Sequence, residues 1–258
     1  MDGAVTVMSA SGGCSYGHLA AAPAGTRPRR AKEAALAARA RAITPLAIVV
    51  GVLSFLWTEF SLNFTFHWVT YDLPNSVTPL DLPRNFHLIL PTAFIAWGLF
   101  FCAGGDNAAF GKIFLAIVFG TVAALITMPL AFTTAPFPDF WGIALWVGVF
   151  AFILVMILIA GDWYYVAGTF PCFAAVFLWW IATGLDGYVP NGGGVGSDVA
   201  ALQAAPGLGA FTGLISTPWQ WVWFDSFVTL VCGVVLGWVS AKLAAILTPK
   251  PRAAAEAA

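Results

Sequence analysis

Residues 97–120, which read WGLFFCAGGDNAAFGKIFLAIVFG, join two apolar runs through a short Gly-Gly-Asp-Asn turn. A similar order recurs in blurred form at residues 158–177, LIAGDWYYVAGTFPCFAAVF, where a Gly-Asp pair again separates two apolar runs. Self-similarity of this kind is typical of one helix-turn-helix unit used twice. The match slips by one residue after the Asp, so a chance likeness between two apolar hairpins stays the alternative.

The composition indicates which solvent surrounds these runs. Of the 258 residues, 60% are hydrophobic and only 9% are charged, and the mean hydropathy is +0.87. So small a share of polar residues does not cover the surface of a water-soluble globule. About 20 apolar residues in a helix cross the hydrocarbon core of a bilayer. The sequence therefore predicts an all-α integral membrane protein whose partner is the lipid bilayer.

Six apolar runs are long enough, or nearly long enough, to be transmembrane helices. They predict a transmembrane domain over residues 43–247, with outer loops at 64–85 and 184–219. A basic, partly disordered tail, 1–42, precedes this domain, and a short tail, 248–258, follows it. The Ala-rich part of the first tail predicts a short helix on the membrane surface. The six predicted spans are 43–63, 86–103, 111–132, 140–161, 163–183 and 220–247.

Basic residues predict the direction of these spans. Six of the eleven Lys and Arg residues precede the first span, and Lys112, Lys242, Lys250 and Arg252 fall on the same side if six helices cross. Only Arg84 lies opposite, so the positive-inside rule predicts that both termini are cytoplasmic. The two Gly-Asp turns then lie on one side, which is the geometry of a parallel repeat.

Eight residues are candidates for a central substrate path. The turns would supply carboxylate and amide acceptors, and Pro171 inside an apolar run predicts an unwound or kinked helix that frees backbone groups. Carboxylates inside spans are costly and are functional candidates by default, although near a helix end they can also be structural. The eight residues are Asp106, Asn107, Asp162, Gly168, Thr169, Pro171, Glu59 and Asp225.

A transition-metal site is a further alternative for the outer loop. His67, Asp81 and His87 supply the imidazole and carboxylate ligands that zinc or copper accepts. Their spacing matches no compact ligand motif, and interface histidines that hydrogen-bond to backbone are commoner. No cofactor is otherwise predicted, and a metal-bearing subunit of a membrane oxidase or monooxygenase is the function that this alternative implies.

Other classes of protein find no support in the sequence. No G-x-S-x-G or C-x-x-C motif occurs, so an enzyme is disfavoured, and the net charge of −1 does not favour a nucleic-acid partner. The segment from Gly233 to Gly237 is a G-x-x-x-G face. Such a face favours close helix contact, either internal or between subunits.

Three segments together resemble a known family. They are WGLFFCAGGDNAAFGK at 97–112, AGTFPCFAAVF at 167–177 and SFVTLVCGVVLGWVSAKL at 226–243. In these motifs the chain is similar, over residues 94–243, to the small bacterial inner-membrane proteins of unknown function typified by YcdZ. It departs from them in the basic tail, the loop between His67 and His87, the insertion at 184–219 and the absence of Pro before Gly168. The resemblance implies a multi-span membrane fold and no established activity.

Two functions follow from these observations. Repeated hairpins, few charges and a Pro-containing span favour a permease or channel for a small solute. Aromatic surfaces, small-residue faces and a long outer loop favour instead a non-catalytic accessory subunit of a larger membrane complex, or a homo-oligomer.

Overall fold

The computed structural model describes residues 28–65, 85–136, 140–183, 185 and 217–248, with side chains from Lys32 onward. The described residues are helical and contain no strand. Residues 1–27, residues 249–258 and most of the two predicted outer loops therefore lie outside the described residues. The short surface helix predicted in the first tail is instead the beginning of one continuous helix, Pro28–Asn63. The chain divides into two units, residues 1–44 and residues 45–258, and the arguments below concern the second.

The described residues form six α-helices, as the apolar runs predict. Four of them, α1, α3, α4 (with the 3₁₀ turn that extends it) and α6, are long and apolar enough to cross a membrane, and α2 and α5 are shorter apolar helices. The protein is thus an all-α membrane protein. The bounds are α1 Pro28–Asn63, α2 Leu90–Cys102, α3 Asn107–Thr133, α4 Trp141–Met156 with the 3₁₀ turn Ile157–Ala160, α5 Val166–Ala182 and α6 Trp219–Leu247.

The largest departure from the predicted spans is at α2. The predicted span at 86–103 becomes helical only at Leu90, because Pro91 favours the first turn of a helix and Ile89 has an extended backbone with ψ of 98°. The 13 residues of α2 then rise about 20 Å, less than the roughly 30 Å of a hydrocarbon core. Residues 85–89, which come directly before α2, have a non-helical conformation.

Two pairs of helices run in the same direction. Between α2 and α6, the Ile89 N–H donates to Thr229 Oγ1 and the Trp97 indole donates to Ser240 Oγ. Residue numbers rise in the same direction along both helices, so the two helices are parallel. Along α3 and α5, Gly168 lies against Ala116, and the rings of Phe132 and Trp180 meet at 6.0 Å. The other ring contact of Phe132, with Trp219, makes α3 antiparallel to α6. Helices that cross a membrane one after another must alternate in direction, and these directions agree with that requirement.

Glycines allow the closest approaches between these helices. A Cβ atom at Gly233 would overlap the backbone of Ala93, and one at Gly237 would lie within 3.0 Å of the Phe100 side chain. The G-x-x-x-G face of α6 is therefore an internal contact with α2. On the other side of the bundle, Gly120 of α3 packs against the backbone of Thr169 and Phe173 on α5.

Candidate functional site

The non-helical segment at 85–89 is the first part of the candidate site. His87, Leu88 and Ile89 are buried, so their backbone groups need partners inside the protein. The Leu88 N–H donates to Thr65 Oγ1 at 3.1 Å, and the Thr65 hydroxyl donates to the Leu88 carbonyl at 3.1 Å. The Ile89 N–H donates to Thr229 Oγ1 at 3.2 Å. Side-chain hydroxyl groups thus replace the hydrogen bonds that a helix would provide.

Asp225 lies beside this segment, on the second turn of α6. It comes six positions after Trp219, the first residue of the helix, which places it about 9 Å along the helix axis from that residue. Its side chain is 0% exposed, and neither carboxylate oxygen completes a hydrogen bond among the described residues. The groups that act on it electrostatically are the backbone N–H of His87 and the side chain of Trp179.

His87 and Trp179 complete what we call the Asp225 site, defined as His87, Trp179 and Asp225. The imidazole of His87 is 2% exposed, and its Nδ1 has no hydrogen-bond partner within the described part of the chain. Its ring meets the indole of Trp179 in a T-shaped contact at 6.3 Å. Three parts of the chain, the segment at 85–89, α5 and α6, therefore converge on one carboxylate.

The electrostatics of the Asp225 site are unbalanced. In the described parts of α2, α3, α5 and α6 at this end of the bundle, residues 85–96, 121–133, 174–182 and 217–232, His87 and Asp225 are the only His, Lys, Arg, Asp or Glu residues, and Glu59 of α1 lies at the same end but is exposed. The free energy of burying an ionised carboxylate without a cation or full hydrogen bonding is unfavourable by several kcal/mol. Such a group is kept at a cost to stability, which indicates a function.

The turn between α2 and α3 holds two predicted path residues at the opposite end of the bundle. Asp106 is the N-cap of α3, where its Oδ1 accepts the Ala109 N–H at 2.7 Å. Asn107 is exposed, and its Oδ1 accepts the Trp238 indole N–H at 2.9 Å. Asp106 is thus a capping residue, and both residues line a cleft described below.

The predicted path residues around α5 are dispersed. Asp162 is exposed in the turn after Gly161, whose φ is +119°. Gly168 and Thr169 are buried, and Thr169 Oγ1 donates to the Tyr165 carbonyl at 3.1 Å. Pro171 lies inside α5, which is α-helical from Val166 to Ala182, so the unwound segment predicted there is absent. The first turns of a helix tolerate Pro better than its middle does.

Glu59 and the metal candidates have different surroundings. Glu59 is exposed on α1, and its Oε1 accepts a hydrogen bond from Asn63 Nδ2 at 3.0 Å. His67 and Asp81 lie outside the described residues, and His87 belongs to the Asp225 site. Among the residues that the structure describes, no group of three or more His, Cys, Asp or Glu side chains is arranged to hold a metal ion.

Comparison with known families places these features in context. Residues 47–245 match the model of a family described as "Protein of unknown function (DUF1097)". The chain belongs to the DUF1097 family. The matched range of this DUF1097 member includes the whole Asp225 site and the turn at Asp106. No curated protein and no solved structure matches the chain.

Sequence reasoning on this DUF1097 chain singled out His87 and Asp225 but assigned them to separate hypotheses, and it missed Trp179 and Thr229. His87 and Asp225 are 138 positions apart in the sequence, which hides their proximity. One signal was available for Thr229, since a hydroxyl group in an apolar helix either bonds its own backbone or serves another segment. Trp179 carries no comparable signal in a chain with 12 Trp residues.

The hydrogen bond of Thr229 to α2 gives a first prediction. Thr229→Val is expected to lower the free energy of unfolding by about 1 to 3 kcal/mol, because it leaves the buried Ile89 N–H without a partner. Thermal unfolding of the detergent-purified protein measures the effect. The matched control is Thr127→Val, since Thr127 Oγ1 donates only to the Ala123 carbonyl of its own helix. Equal destabilisation by both variants would contradict the role given to Thr229.

Proposed function

We propose that this protein is a permease or channel for a small solute, and that the solute binds at the Asp225 site. The observation that supports this function is a fully buried carboxylate whose oxygens complete no hydrogen bond among the described residues, placed next to the non-helical segment at 85–89. Non-helical backbone at membrane depth persists only where protein buries it or where it lines a cavity. Interrupted helices near ionisable groups form the binding sites of many transporters.

The chemistry of the Asp225 site favours a particular class of solute. Asp225 offers hydrogen-bond acceptors that no cation among the described residues occupies, and His87 Nδ1 offers a further nitrogen atom. The indole of Trp179 contributes an aromatic ring, which attracts cations over its face. We therefore propose that the solute is a small cation or a small hydrogen-bond donor such as an amine.

Orientation and location complete the proposal. The positive-inside rule favours an orientation with both termini cytoplasmic, and the resemblance to proteins of the YcdZ type favours a bacterial inner membrane. The Asp225 site would then lie in the outer half of the bilayer, and the turn at Asp106 would face the cytoplasm. A solute arriving from outside would meet Asp225 about two helical turns below the surface.

Uptake by proteoliposomes tests this function. Vesicles with the purified protein are compared with empty vesicles for a panel of radiolabelled small amines, quaternary ammonium ions and neutral amides. Uptake of at least one amine or ammonium ion is expected. Asp225→Asn is expected to reduce it about tenfold or more, because a hydrogen bond to a charged group contributes about 1.5 to 3 kcal/mol and about 1.4 kcal/mol corresponds to tenfold.

The control for this experiment is Glu33→Gln, which removes a carboxylate far from the site in sequence and is expected to leave uptake unchanged. No uptake of any panel member by folded wild-type protein would contradict the permease function. Wild-type uptake by Asp225→Asn would instead retain that function and exclude Asp225 as its binding group.

An accessory role in a larger membrane complex is the second candidate function. It is favoured by α4, which packs one face against the core through side chains such as Trp146 and Leu154 but exposes Trp141, Phe152 and Val155. Lipid covers such a surface in a monomer, and another subunit or a second copy covers it in a complex. Purification in mild detergent with stoichiometric companions would favour this role over the permease.

A further inference from the structure

Two adjoining cavities lie at the end of the bundle opposite the Asp225 site. The first, which we call the Lys242 cleft, has a volume of about 270 Å³ and is lined chiefly by Gly105, Asp106, Asn107, Trp238 and Lys242. The second, which we call the apolar groove, has a volume of about 430 Å³ and is lined by Asn107, Phe110, Val235 and Trp238. Asn107 and Trp238 belong to both, so a polar space continues directly into an apolar one.

The Trp238 side chain forms the wall between these two cavities, and contacts with α3 fix its position. The Trp238 indole donates to Asn107 Oδ1 at 2.9 Å, which joins α6 to the start of α3. The Trp238 ring also meets that of Phe110 at 6.4 Å in a T-shaped contact. A ring fixed in this way can separate a polar headgroup from an apolar chain.

The Lys242 cleft carries one charge of each sign. Lys242 Nζ lies 5.5 Å from the centroid of the Trp238 ring, and Asp106 Oδ1 accepts the Ala109 N–H. Each of these side chains thus interacts with a neighbour other than the opposite charge. The 27-residue helix α3 also begins here, and the amide groups of its first turn favour an anion.

We propose that the Lys242 cleft and the apolar groove together bind a phospholipid whose headgroup contains a primary ammonium, as in phosphatidylethanolamine. Lys242 pairs with the phosphate, and Asp106 pairs with the ammonium. An acyl chain lies in the groove against Phe110 and Val235. Under the proposed orientation this end of the bundle is at the headgroup level of the cytoplasmic leaflet, where Trp and Lys side chains favour the interface.

This site is independent of the proposed solute site. It lies at the other end of α6, and no residue is shared between them. Lipid binding here would hold the α2–α3 turn against α6 whether or not the protein transports a solute.

Native mass spectrometry of the full-length protein tests the proposal. The delipidated protein is titrated with phosphatidylethanolamine, phosphatidylcholine or phosphatidylglycerol of equal chain length. Wild-type protein is expected to retain phosphatidylethanolamine about threefold or more over the other two, since both of its charges find partners. Asp106→Asn and Lys242→Gln are each expected to remove this preference. Asn is as good an N-cap as Asp, so the first variant keeps α3 intact.

Two further variants make the result decisive. Lys112→Gln removes an exposed lysine of α3 that lines neither cavity, and it is expected to retain the wild-type preference. Val235→Trp fills the apolar groove from an exposed position and is expected to weaken retention of all three lipids. Equal retention of the three lipids by wild-type protein, or an unchanged preference in Asp106→Asn, would overturn the proposal. Size-exclusion profiles confirm that each variant is folded.

Discussion

Gly233→Leu is expected to abolish the folded protein, and Gly233→Ala is expected to destabilise it strongly. The reason is that even a methyl group at this position would overlap the backbone of Ala93, which cannot rotate away as a side chain can. Overpacking of a well-filled core costs about 1 to 3 kcal/mol and sometimes more. Because α2 and α6 have the most extensive contact in the bundle, separating them would also disturb the bonds of Ile89 and Trp97.

Fluorescence-detected size exclusion and thermal unfolding measure this effect. The matched control is Gly98→Ala on α2, because a Cβ atom there would meet nothing within 4 Å. That variant is expected to be neutral or more stable by up to about 1 kcal/mol, the difference in helix propensity between Gly and Ala. A folded, monodisperse Gly233→Leu protein would show that the α2–α6 contact is not as close as described.

Asp225→Val is expected to raise thermal stability while it removes solute uptake. The change eliminates two buried oxygens that complete no hydrogen bond among the described residues, and an unsatisfied buried acceptor costs about 1 to 3 kcal/mol that its removal recovers. The same carboxylate is the group that we propose for solute binding. Opposite effects on stability and function are typical of binding residues that a protein keeps at a cost.

Thermal unfolding in detergent and proteoliposome uptake measure the two effects on the same preparations. The control is Ser226→Ala at the neighbouring buried position, where Ser226 Oγ already donates to the Val222 carbonyl at 2.7 Å. Because that hydroxyl is satisfied, its removal is expected to bring no gain in stability. A loss of stability in Asp225→Val would indicate that the carboxylate has a structural role.

The fold class follows from the sequence because lipid imposes a simple requirement on each crossing segment. Apolar length predicted the helices, and the turn signals located their ends approximately. The start of α2 was not predictable in the same way. Residues 86–89 are as apolar as the helix that follows them, and their extended conformation depends on hydroxyl groups of Thr65 and Thr229 from distant parts of the chain.

The proposed repeat shows the same limit. Both Gly-Asp turns contain a glycine with positive φ, Gly104 at +122° and Gly161 at +119°. Asp106 caps α3, whereas α5 begins four residues after Asp162 with Tyr165 at its N-cap and no side-chain cap bond. Local composition therefore predicted two turns but could not show that only the first Asp is a cap. The three residues of the Asp225 site come together only through helix packing, and the pattern of a single sequence does not predict that packing.

The short α2 has a consequence for biogenesis. Its 13 residues are marginal for independent membrane insertion, and its principal partner, α6, is the last of the described helices along the chain. The partner of the Ile89 N–H, Thr229, is synthesised 140 residues later. We therefore expect α2 to be fully accommodated only after α6 has been made, and a truncation before Trp219 should be recognised as an orphan and degraded.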